Sequence, residues 1–223
     1  MIDYQSALLG RTEVAEGTMA FQFEKPKDFV FKAGQHIDLT LSGSQPGPSH
    51  GLTHTFSIAS SPLDEELVVT TRMRTTVFKQ AISILPIGSR ARIEGPMGSF
   101  SLHNNTARPA VFLAGGIGIA PFLSMLFYAR EQKLRHPIVL FYANRYLEDA
   151  AFIDELWKLE RCRSKVPLCS DPHAHGQELP RLEGGNGTHQ LGNASHTRES
   201  LARPDLLHSR TANDGCSGAP NAQ

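Results

Sequence analysis

One stretch constrains the fold more than any other: the apolar run Pro109-Ala110-Val111-Phe112-Leu113-Ala114, continued at once by Gly115-Gly116-Ile117-Gly118-Ile119-Ala120-Pro121. The run reads as a buried strand feeding a glycine-rich turn, and Pro121 to Glu131 then shows helical periodicity. Ile138 to Ala143 is a second all-apolar strand. It is followed by Asp149 to Glu160, with Phe152, Ile153, Leu156 and Leu159 at helical spacing. Strand, helix, strand, helix is the opening of a doubly wound domain. Between such a strand and helix, missing side chains let backbone approach a phosphate near the helix N-terminus. A tight turn also uses glycine for geometry alone.

Upstream the pattern is different. Gln35 to Leu41, Thr53 to Ile58, Leu67 to Met73 and Arg90 to Ile93 are short segments rich in β-branched and aromatic residues, broken by Gly and Pro. That spacing predicts an antiparallel barrel or sandwich. With 223 residues and 40% hydrophobic content, the chain can bury two small cores. After Arg161 the residues are mostly Gly, Pro, Ser, Asn, His, Arg and Thr, without aromatics or an apolar run of strand length. Such a stretch does not offset roughly 1–2 kcal/mol of backbone entropy per ordered residue, so a disordered tail is expected.

The segment His54-Thr55-Phe56-Ser57-Ile58-Ala59-Ser60-Ser61-Pro62, taken with the later glycine turn, resembles the flavin and pyridine-nucleotide signatures of the ferredoxin-NADP reductase family. The resemblance covers roughly residues 1 to 160. It implies three parts: an FAD-binding barrel over 1–105, a truncated doubly wound nucleotide-binding domain over 106–160, and a tail over 161–223. It also implies that Phe56 lies against the flavin ring, that Ile58 is among the cofactor-binding residues, and that the Ser57 hydroxyl is the catalytic group near the ring's reactive nitrogen. His54 stands where the family carries Arg to hold the pyrophosphate, and a free imidazole is mostly neutral at pH 7. The charge is then expected from Arg72 and Arg74. The family's Gly-x-x-Ser turn is absent there, which leaves Thr75 or Thr76 to offer the hydroxyl. Gly115, Gly116, Gly118 and Pro121 are the expected nucleotide contacts. Tyr142-Ala143-Asn144-Arg145 and Asp149 follow the family's second-strand pattern, and Arg145 also reads as a solvated loop charge.

The function implied is a flavin-dependent oxidoreductase that uses FAD, with NADH or NADPH as co-substrate, and passes electrons to a protein or small acceptor. The alternative is a non-catalytic flavin-binding module or a damaged product without a complete nicotinamide site. One permissive back-translation of Arg210 to Gln223, shifted by one base, gives a Gly-Pro-Pro turn and helix like the family's C-terminus, which makes an out-of-frame tail a further expectation. With zero net charge, nothing in the overall electrostatics argues for nucleic acid as a partner, and none is expected. No apolar run approaches the ~20 residues of a membrane span, and the N-terminus lacks a signal-peptide pattern, so the cytoplasm is the expected address. Cys162, Cys169 and Cys216 match neither a zinc site nor an iron–sulfur cluster, and no metal is expected.

Overall fold

The computed structural model describes residues 3–41 and 52–162 together with a short strand at 168–169, all within one compact unit. Six strands, β1 (Asp3–Ala15), β2 (Thr18–Glu24), β3 (His36–Leu41), β4 (Thr53–Ser57), β5 (Glu66–Arg72) and β6 (Arg90–Met97), form one sheet in the order β4-β3-β6-β1-β2-β5. Every ladder in it is antiparallel. The two outer strands meet at a bridge between Ile58 and Val69, which curls the sheet onto itself. Period-two burial explains the curl: in β3, Ile37, Leu39 and Leu41 are buried while the residues between them are not. With Leu8, Phe21, Phe23, Leu67, Val69 and Ile93 they fill the barrel, and Phe78 and Ile82 of α1 (Val77–Ile84) pack on the same core.

The second part is a parallel sheet of β7 (Ala110–Gly115), β8 (Ile138–Ala143) and β9 (Leu168–Cys169), in that order. The connections are α2 (Ala120–Glu131) and α3 (Ile153–Cys162). The helix expected from Asp149 begins four residues later. Leu147–Asp149 forms a 3-10 turn, and Phe152 sits in the left-handed region at φ 60° with its carbonyl accepting the first bond of α3 from the Leu156 N–H. Strand β9 is a second correction, because it lies beyond Arg161, where no strand was expected. The rest of the expected tail, residues 163–167 and 170–223, lies outside the described residues.

Helix α2 is buried on nearly every side because it sits between the parallel sheet and the barrel. Ser124 Oγ donates to the Ser60 carbonyl at 2.6 Å, and the Ser61 hydroxyl donates to the Glu131 carboxylate. The Ser60-Ser61 pair that closes the flavin-like motif is therefore a socket for α2. Gly34, at φ 97°, lies against the Phe100 carbonyl and the Met125 side chain, where a Cβ has no room. Among the described residues no helix is long and apolar enough to cross a membrane.

Candidate functional site

A cleft of about 410 Å³ opens between the end of β5 and the loops at the C-terminal ends of β7 and β8, lined by Arg72, Arg74, Gly116, Asn144, Arg145 and Asp149. This is the end of a parallel sheet at which α/β folds bind their ligands. Two sets of residues read separately in the sequence thus share one site: the arginines assigned to a flavin phosphate and the glycine turn assigned to a nucleotide. Arg145 faces this cleft as well. Three guanidinium groups stand against one carboxylate, so the lining is strongly cationic.

The glycine turn is shaped by its backbone. Gly115 ends β7 in extended conformation, Gly116 enters a 3-10 turn at φ 49°, and the turn runs through Ile119 into α2. A Cβ at Gly116 or Gly118 meets nothing within 4 Å, so the space over the turn is open to a ligand. At Gly115 a Cβ meets the Ala143 carbonyl at 3.9 Å, ordinary contact that requires no glycine. Pro121 stands in the first turn of α2, where its missing N–H has no intrahelical partner to lose. Its role is the helix start.

Tyr142 is the residue that sequence reasoning passed over. In the fold its buried hydroxyl lies 3.1 Å from the Gly116 carbonyl and 3.3 Å from the Ala151 carbonyl, tying the glycine turn to the approach to α3. Burial pushes its phenol up to about 12, against the pull of its hydrogen bonds, so it remains a neutral donor.

On the barrel side, Arg72 Nη2 lies 2.9 Å from Asp149 Oδ1, with side-chain exposures of 51% and 13%. Beside this pair the Glu16 N–H donates to the Glu148 carbonyl at 2.9 Å. The loop after β8 is thus fastened to the barrel twice. Lys79 donates from Nζ to the Arg72 carbonyl at 2.6 Å. Its ammonium is pulled down first by burial and then by the neighbouring Arg74. Thr76 caps α1 by accepting from the Lys79 N–H at 3.4 Å, which leaves its own hydroxyl proton free to donate; Thr75 is exposed one residue before.

The flavin-like strand departs from expectation. Side chains on β4 alternate, so His54 and Phe56 share one face while Thr55 and Ser57 take the other. Phe56 is only 5% exposed and belongs to the barrel core, with His54 stacked on it at 4.6 Å. It therefore offers no open face in this conformation. Ile58, expected among the cofactor contacts, is fully buried in the core, so its side chain presents no surface to a ligand. His54, expected near the phosphates, is absent from the cleft lining, because its ring packs on Phe56 and Phe78. Ser57 is half-buried.

The cleft itself offers the chemistry of an anion site. Fixed guanidinium forks match phosphate oxygens, and the bare backbone over Gly116 and Gly118 leaves room for them.

Residues 9–120, half of the chain, match the model of an FAD-binding domain, and residues 112–188 match that of an oxidoreductase NAD-binding domain. The second match continues past residue 161 into the stretch expected to be a tail. The chain is 29% identical over 168 residues to a toluate 1,2-dioxygenase electron transfer component of Pseudomonas putida, covering 74% of this chain and 47% of that protein. It is 32% identical over 152 residues to ferredoxin-NADP reductase B of Sorangium cellulosum, covering 66% and 60%. The chain spans between 37% and 60% of the length of these curated relatives. In fold it is similar to an Amycolatopsis cytochrome P450 reductase, with a TM-score of 0.65 at 21% identity over 75% of this chain and 50% of that one. It is also similar to the ferredoxin-NADP+ reductase of Plasmodium falciparum, with a TM-score of 0.64 at 17% identity over 74% and 68%. With an FAD-binding domain over half its length, leading into an oxidoreductase NAD-binding domain, the chain belongs to the ferredoxin-NADP reductase-type family of flavin oxidoreductases.

Proposed function

We propose that the chain is the flavin-binding part of an NAD(P)H-dependent reductase, with FAD on the barrel, the nicotinamide coenzyme entering over the glycine turn, and electrons leaving to a separate acceptor. The observation that carries this reading is the cleft shared by Arg72 and Arg74 of the barrel and Gly116, Asn144 and Arg145 of the α/β part. Bound FAD supplies hydride acceptance and the onward release of electrons, while the protein supplies orientation and charge. Arg74 and Arg145 hold phosphate oxygens, with Arg72 joining them when it leaves Asp149. Thr76 adds a hydroxyl donor at the start of α1. Tyr142 keeps the Gly116 backbone in place, and the Ser57 hydroxyl is the donor assigned to the reacting edge of the flavin. Relatives described as electron transfer or reductase components of oxygenases support a protein acceptor of that kind. A cytoplasmic location belongs to the same proposal.

A second reading, a flavin-binding module without hydride transfer, draws on two observations. Phe56 is covered, and the described parallel sheet has three strands where doubly wound domains use five or six. One experiment separates the readings: titrate the purified chain with FAD, remove oxygen, and add NADH or NADPH. Bleaching of the flavin's visible absorbance supports the reductase. A yellow protein that stays yellow selects the second reading. Failure to take up FAD or FMN removes both.

A further inference from the structure

Three rings cluster where β4 meets α1. His54 lies nearly parallel to Phe56, with centroids 4.6 Å and planes 20° apart. Phe78 leans against both, at 5.3 Å from His54 and 5.6 Å from Phe56. The three are not equivalent. Phe56 and Phe78 belong to the buried core, whereas His54 is exposed. Beyond these ring contacts, its Nδ1 meets the carbonyl of its neighbour Thr55 at 2.9 Å. Moving either phenyl ring exposes core surface; moving the imidazole uncovers one face of Phe56 and the side of Phe78 it leans on, without opening the core beneath them.

We infer that His54 is a displaceable cap, its imidazole covering the face of Phe56 until a flavin ring takes that face. This rests on the reading of Phe56 as a flavin contact, and it resolves the conflict between that reading and the burial of the ring. A tricyclic ring covers more of Phe56 and its margin than a five-membered ring does, so the exchange favours the ligand once it arrives. Before then, only the fraction of molecules with His54 swung out is competent to bind, and apparent affinity falls by that fraction. An arginine at this position carries a permanent charge that favours water or a phosphate. The flat imidazole of His54 settles on its aromatic neighbour instead.

The test compares the full chain with His54→Ala and His54→Phe, following FAD capture by quenching of flavin fluorescence in a stopped-flow instrument. It also follows the His54 ring protons by NMR, since a ring stacked on Phe56 resonates away from its free position. The expected order of capture rates is Ala fastest, then the natural His, then Phe. Each step should be about two- to tenfold, the factor that one aromatic stack is worth. The His54 resonances should move toward their free positions as FAD is added. If His54→Ala binds FAD more weakly than the natural chain, the imidazole is itself the seat and the cap is wrong. Equal rates in all three chains with unmoved His54 resonances also overturn the cap while leaving FAD binding intact. If none of the three chains binds FAD, the flavin reading fails and the cap falls with it.

Discussion

The Tyr142 hydroxyl sits between the carbonyls of Gly116 and Ala151, so one side chain fixes the end of the glycine turn and the entry to α3 together. Removing it leaves a buried carbonyl short of a donor, which costs about 1–2 kcal/mol. Tyr142→Phe should lower stability by that amount in denaturant titrations. It should also change the alkaline limb of the stability curve. The folded phenol titrates at about 12 against an ordinary value of 10, so its contribution is complete below pH 10 and is lost as pH rises from 10 toward 12. Subtracting the Tyr142→Phe curve from that of the natural protein should isolate this loss; parallel curves between those limits would show that the hydroxyl is not buried as described. Ser57 calls for the opposite pattern. It is half-buried, so Ser57→Ala should change stability by less than about 0.5 kcal/mol. Under the reductase proposal it should slow flavin reduction more than it weakens FAD binding. A loss confined to binding would take Ser57 out of the chemistry.

At the scale of elements, legibility followed periodicity. β7, α2 and β8 were readable because long apolar runs and a glycine turn leave few alternatives, and β3, β4 and β5 because short segments rich in β-branched and aromatic residues are set off by Gly and Pro, although only β3 alternates in burial. β1 and β2 were missed. β1 shifts register between Leu8 and Gly10 and again between Glu13 and Ala15, so no steady alternation runs along its length. Helix α1 escaped because eight residues give barely two turns of pattern. The start of α3 was misplaced because Phe152 is apolar at helical spacing yet left-handed, a backbone state that sequence does not advertise for a phenylalanine. The joint between the two parts was equally hidden, since Gly34, Phe100 and Met125 are far apart in the chain. Gly34→Ala tests that joint directly. The new methyl meets the Phe100 carbonyl in a backbone conformation that disfavours any side chain, so a loss above about 2 kcal/mol is expected. α2 should then become more open to hydrogen exchange than the barrel strands. Uniform loss of protection throughout would mean that Gly34 serves the barrel rather than the joint.

Taken whole, the molecule gathers its cationic cleft from residues that the sequence keeps apart. Arg72 and Asp149 are 77 positions from each other, so their meeting was beyond any motif, although each was noted separately. Their pairing has a consequence for ligand entry. Asp149 is the one acidic side chain of the cleft lining and occupies one of its three guanidinium groups, so an incoming phosphate competes with a carboxylate already in place. An ion pair this exposed on the arginine side is worth about 0.2–1 kcal/mol, small enough for a doubly charged anion to displace. Asp149→Asn removes the competitor without emptying the space. Binding of inorganic pyrophosphate, measured calorimetrically at low salt, should tighten by about two- to fivefold, the factor corresponding to such a pair. The advantage should shrink as ionic strength approaches about 0.15 M, where charges separated by more than about 8 Å are largely screened. Arg74→Gln and Arg145→Gln should each weaken the same binding, because neither guanidinium has an acidic partner in the cleft lining to fall back on. Pyrophosphate binding that ignores all three substitutions would place the anion site elsewhere, whatever the flavin does.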